Sequence, residues 1–128
     1  MPGKHLYEYA VIRVLPLVER EEFLNVGVVL YCAGQKFLQA KFELDKPRLT
    51  AFSDKLDIAE VEDYLNAFER ICNGDKDSGT IGKLPTAERF RWLTATRSTV
   101  VQTSKVHPGL CDDAAEMLER LYTQMVLQ

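Results

Sequence analysis

Histidine is scarce in this chain, with two in 128 residues, and cysteine occurs only three times. His5 and His107 stand near opposite ends, so no histidine pair has metal-ligand spacing. Cys32, Cys72 and Cys111 are odd in number and far apart, which excludes a disulfide framework and a zinc ribbon. Long apolar runs are missing too. The longest, from Val26 to Ala33, falls far short of a membrane span, so no membrane role is expected. No glycine-rich phosphate cradle occurs. Met1-Pro2-Gly3-Lys4-His5 lacks the apolar region of a secretion signal, and the expected location is the cytoplasm. A net charge of −3 argues against a protein that coats nucleic acid non-specifically.

What is present is an ordinary globular balance, 46% hydrophobic and 27% charged, in a length that suits one domain over residues 1–128. The first third reads as strands. Leu6 to Val14 is rich in β-branched and aromatic residues and ends at Pro16. Tyr7, Tyr9, Val11 and Arg13 share one of its faces. Phe23 to Cys32 is apolar on both faces, as a central strand is. Phe37 to Leu44 alternates, and the short Ala33-Gly34-Gln35 link predicts a hairpin. Ile58, Val61, Leu65, Phe68 and Cys72 make one helical stripe, with Asp57 placed to cap it and Gly74 to close it. Pro85 suits the first turn of a short helix carrying Glu88, Phe90, Trp92 and Leu93. Ser98 to Thr103 is a further strand, and Asp112 or Asp113 caps a last helix striped by Ala114, Leu118, Leu121, Tyr122 and Met125. The expected class is α+β: a small antiparallel sheet of about four strands with two or three helices packed on one face.

Catalytic and metal patterns fit poorly. His107 and Cys111 could pair as base and thiolate, but Asp112 and Asp113 set negative charge beside the sulfur. A triad of Ser98, His107 and Asp112 lacks the glycines of a nucleophile elbow. Asp75-Lys76-Asp77-Ser78-Gly79 opens like a calcium loop, but the closing position is Thr86 where a bidentate Glu is needed. Neither a metal nor a cofactor is expected. The acidic run Glu19-Arg20-Glu21-Glu22 reads as a charged connection between strands. Asn25 lies inside an apolar strand and needs hydrogen-bond partners, which Arg20 or Glu22 could supply. Gly27 two residues on signals a bulge or close backbone approach.

Charge is concentrated in one block. Residues 83–107 hold Lys83, Arg89, Arg91, Arg97 and Lys105 against Glu88 alone, flanked by acidic segments. Arg89, Arg91 and Arg97 could grip an oxyanion, Trp92 could offer a stacking face, and Ser98, Gln102 and His107 could add polar contacts. The competing expectation is that these arginines pair with the acidic helices on either side. Arg97, at a turn, is expected to be partly buried and to reach Glu19, Glu21, Glu22 or a bound anion.

Three strings carry a resemblance. Tyr7-Glu8-Tyr9-Ala10-Val11-Ile12-Arg13-Val14, Glu19 to Val28, and Glu88-Arg89-Phe90-Arg91-Trp92-Leu93 with Arg97-Ser98-Thr99-Val100-Val101-Gln102 resemble a bacterial family known as domain of unknown function 3037. Thr96 and Pro108 depart from its usual Pro and Thr, at positions read as loops. The resemblance brings no established activity. It implies a small non-catalytic protein that binds and modulates a kinase resembling the HipA toxins. The alternative expectation is nucleic-acid or phosphate-ligand binding through residues 83–107. An enzyme acting on a phosphate-containing small molecule would need His107 or Glu22 as its base.

Overall fold

The computed structural model describes residues 4–17, 20, 22–97 and 99–127. Its frame is a five-stranded antiparallel sheet, one strand more than the sequence suggests. Strand β1 (His5–Val14) lies at the centre, with β2 (Leu24–Cys32) on one side and β3 (Phe37–Phe42) beyond it. The β2–β3 hairpin forms as expected, through a 3-10 turn at Ala33–Gln35 closed by Lys36 in the left-handed region. On the other side of β1 two short strands lie end to end. Strand β4 (Val101–Thr103) pairs with Ile12–Val14, and β5 (His107–Cys111) pairs with His5–Tyr9. Ser104 is the joint between them. Its buried Oγ accepts the Val11 N–H at 2.8 Å, and its own N–H donates to the Val11 carbonyl.

Pro108 therefore stands in a strand, not in the loop the sequence suggested. Val11 and Leu15 donate their N–H groups toward β4. The same alternation turns Pro108 to the free edge, where its missing N–H breaks no ladder bond and hinders strand addition.

Among the described residues four α-helices complete the fold. The first, α1 (Lys46–Phe52), escapes the periodicity because it is short, although Asp45 caps it by accepting the Arg48 N–H and Pro47 sits in its first turn. Helix α2 (Ile58–Asn73) has the expected cap, Asp57 accepting from the Glu60 N–H, and ends at Gly74 with φ 67°, a conformation that favours glycine. Helix α3 (Thr86–Leu93) follows Pro85. Helix α4 (Ala114–Tyr122) is capped by Asp113 and runs on as a π-helical turn, Thr123–Leu127.

The sheet is covered unequally. On one face Ala10, Ile12, Val14, Val29 and Leu38 pack against Leu49 of α1, Val61, Leu65 and Phe68 of α2, and Phe90 and Leu93 of α3. That is the expected layer of helices. On the opposite face Tyr7, Val28, Leu30 and Cys32 pack against Ala114, Leu118 and Leu121 of α4. Helix α4 lies over β2 and β3, where Lys41 reaches Glu119 at 2.5 Å and the Tyr122 hydroxyl donates to Glu43 at 3.2 Å. The wet face expected of Phe37–Leu44 is thus bridged to a helix by polar groups.

One irregularity positions the rest. The β1–β2 register slips between Ile12 and Arg13, so that Ile12 faces Gly27 but Arg13 faces Asn25. A Cβ on Gly27 would meet the Lys41 carbonyl and Phe42 Cβ, both at 2.6 Å. Both the bulge and the close approach that Gly27 signalled are present. The slip turns Asn25 toward the α4 face, away from the larger core.

Candidate functional site

The basic block does not form one surface. Arg89 is held inside the molecule. Its Nη1 donates to the carbonyls of Ile71 and Cys72, both at 2.8 Å, its Nε to Leu84 at 3.0 Å and its Nη2 to the Thr86 hydroxyl at 3.2 Å. Those carbonyls belong to the last turn of α2, its negatively polarised end. Arg89 therefore joins α3 to the end of α2 and offers little to a ligand. Arg97 does for α3 what Arg89 does for α2. It donates to the Leu93 carbonyl at 3.2 Å and to the Trp92 carbonyl, and its guanidinium lies 4.2 Å over the Trp92 ring. One expectation is corrected here. Arg89 and Arg97 meet helix-end carbonyls, not the carboxylates of the acidic helices, because a C-terminal turn presents several fixed acceptors close by. Arg97 is partly buried as expected, and of its three expected carboxylates only Glu22 is described, paired with Arg20 at 2.6 Å. Glu19, Glu21 and Ser98 lie outside the described residues. Arg91 points to solvent.

What the block does build is a cleft. Tyr64, Ala67, Phe68 and Ile71 of α2 face Trp92 and Leu93 of α3, with Arg97 at one end, around a shallow cavity of about 130 Å³. Its lining is almost wholly apolar. Trp92 is 39% exposed, a large apolar surface to leave in water. Helix α2 carries Glu60, Glu62, Asp63 and Glu69 against Arg70, while α3 and the turn after it carry Arg89, Arg91 and Arg97 against Glu88. The two helices that form the cleft thus carry opposite net charge.

A second place lies on the α4 face of the sheet. Arg13, on the central strand, has Asn25 and Gln102 as its register partners on the neighbouring strands. Its guanidinium stacks 4.0 Å over the Phe23 ring. The Nε atom is buried with no hydrogen-bond partner, and among the described residues no ion pair joins Arg13. Burial lowers its pKa. Asn25 donates from Nδ2 to the Met125 carbonyl at 3.1 Å, which corrects the expected pairing with Arg20 or Glu22, and its buried Oδ1 is left without a partner. Gln102 donates to the Thr99 carbonyl at 2.9 Å. His107 is exposed on β5, its ring 5.4 Å from Tyr9, and belongs to a separate patch. Asn25 and Gln102 stand out in the sequence as candidates, whereas Arg13 does not. The available signal was a lone arginine ending an otherwise aromatic and apolar strand face.

The thiols are not poised as nucleophiles. All three cysteines are buried. Burial pushes the Cys72 thiol up to about 12 and also raises Cys111, with the neighbouring Cys32, Asp112 and Asp113 adding to that rise. Cys111 starts from His107 on the same strand but lies buried while the imidazole is in solvent. Among the described residues no group of three or more His, Cys, Asp or Glu side chains is gathered for a metal, and no helix is long and apolar enough to cross a membrane.

Residues 9–126 match a family model described as protein of unknown function, DUF3037. No curated protein and no solved structure matches the chain.

Proposed function

The chain belongs to the DUF3037 family, and from that premise we propose that it is a non-catalytic protein-binding module of the bacterial cytoplasm. Its partner in this reading is a HipA-like kinase, the partner implied by the family resemblance, whose activity it modulates. The observation that carries the reading is the α2–α3 cleft, where a half-exposed Trp92 lies beside Phe68 and Leu93 between two helices of opposite net charge. A large aromatic at the mouth of an apolar pocket is the composition of a protein–protein anchor point. The charge pattern favours a protein over a nucleic acid. A polyanion attracted to the basic α3 would be repelled by the net-negative α2 beside it, whereas a partner with charges of both signs can match both helices. Arg89 and Arg97, which would have to grip phosphate, spend donors on helix-end carbonyls.

Co-purification of the chain with a HipA-like kinase tests this directly. Binding at micromolar concentration is expected, with Trp92→Ala costing about 2 kcal/mol of affinity or more, the scale of an interface hot spot. No binding at that concentration refutes the partner. Salt-sensitive binding of a single-stranded oligonucleotide that perturbs Trp92 would instead support the nucleic-acid reading.

A further inference from the structure

A charged donor buried without an acceptor is costly, and native proteins rarely keep one without a use. Arg13 keeps one on the central strand, on the half of the α4 face that the helix leaves partly open. Among the described residues its Nε has no partner, its guanidinium is flattened against Phe23, and the buried Asn25 Oδ1 on the adjacent strand is an acceptor likewise without a partner. Gln102 flanks it on the other side. Three adjacent strands thus present a fork of donors, a neighbouring acceptor and an aromatic wall.

We propose that Arg13, with Asn25, Gln102 and Phe23, forms a binding site for an oxyanion, a phosphate or carboxylate group borne by a small molecule. The chemistry of the set fits that class. A guanidinium presents parallel N–H groups that match two oxygens of a phosphate or carboxylate. Stacking on Phe23 fixes the plane of the fork and shields one side from water, which strengthens the charge interaction. The Asn25 Oδ1 can accept from a hydroxyl or N–H adjacent to the anionic group, as a protonated phosphate oxygen or a hydroxy acid would supply. A single water between Arg13 and Asn25 would satisfy the same two atoms and is the competing account. The site is separate from the α2–α3 cleft, so it does not depend on the kinase reading and that reading does not depend on it.

The test is a titration of the full chain, ¹⁵N-labelled, with inorganic phosphate and separately with acetate at constant ionic strength, following the arginine Nε–Hε signals. One signal, assigned by its loss in Arg13→Lys, is expected to move and saturate. Saturation by phosphate alone assigns a phosphate group, and saturation by acetate alone a carboxylate. Arg13→Lys keeps the charge but not the fork, and it should weaken binding roughly tenfold or more. Asn25→Asp, which sets a negative charge beside the fork, should abolish it while the Arg13 signal persists. If the Arg13 signal is indifferent to both anions, or if Arg13→Lys binds as tightly as the parent, the proposal is overturned and a bridging water accounts for the pair.

Discussion

The two faces of the sheet handle arginine in opposite ways. On the α1–α3 face Arg89 has acceptors for all three of its nitrogens, and the helices that surround it enclose the larger apolar core. On the α4 face Arg13 has an aromatic ring and an orphaned Nε, and one helix covers only part of the strands. The contrast separates charge used to tie the fold together from charge left available. It also shows that a basic block in sequence is a poor guide to which is which. The arginine most fully consumed by the structure lies inside the block, and the one with a buried donor lacking a partner among the described residues lies outside it.

That contrast can be broken most severely in the larger core. Leu65 is 1% exposed beneath β4 and β3, and Leu65→Ala should lower stability by about 2–5 kcal/mol in a denaturant melt. Arg89→Met keeps the stem but removes every donor. It should cost about 1.5–3 kcal/mol, because the α2 carbonyls lose a charged partner. Arg13→Met should be close to neutral or stabilising, since it relieves an unpaired donor. Equal losses for the two would erase the distinction between the faces.

Gly27→Ala sharpens the comparison at the bulge that turns Asn25 to the open face. The added Cβ has no room against Lys41 and Phe42, and a loss of about 1–3 kcal/mol is expected, with the β2–β3 amides shifting most in an NMR spectrum.

Alkaline pH probes the same core more gently. Burial holds the Cys72 thiol protonated, raising it from 9.0 to about 12, and raises Tyr122 from 10.0 to about 12. The folded state keeps protons that the unfolded chain gives up. This stabilisation is whole below pH 9 and is lost as pH rises toward about 12. Melting temperature should fall across that window, and Cys72→Ala should make the fall shallower. A flat profile would show that Cys72 is not buried as described.

Much of this architecture was legible beforehand, and the reasons are local. Asp57, Gly74 and the stripe from Ile58 to Cys72 specify α2 with no help from the rest of the chain. Alternation in Leu38, Ala40 and Phe42 does the same for β3. The elements that escaped notice are those whose signal comes from partners. Strand β5 reads His-Pro-Gly-Leu-Cys, with no strand propensity, and exists because β1 offers it a ladder. Helix α1 is too short for its periodicity to register. The α2–α3 cleft was half visible: Trp92 and Arg97 were named, but Tyr64, Phe68 and Ile71 read only as core stripe. Arg13 needed the register slip at Gly27 to bring Asn25 beside it, and a slip is not written in either strand alone.

The cleft remains the claim on which the functional reading stands, and the chain has one tryptophan to report on it. Acrylamide quenching of Trp92 fluorescence, measured with and without a tryptophan-free variant of the HipA-like kinase at micromolar concentration, is the direct measurement. Partial quenching of the free chain, matching a half-exposed ring, should give way to protection and a blue shift in the complex. Quenching that is unchanged while the kinase is bound, or kinase binding that survives Trp92→Ala undiminished, would place the interface elsewhere.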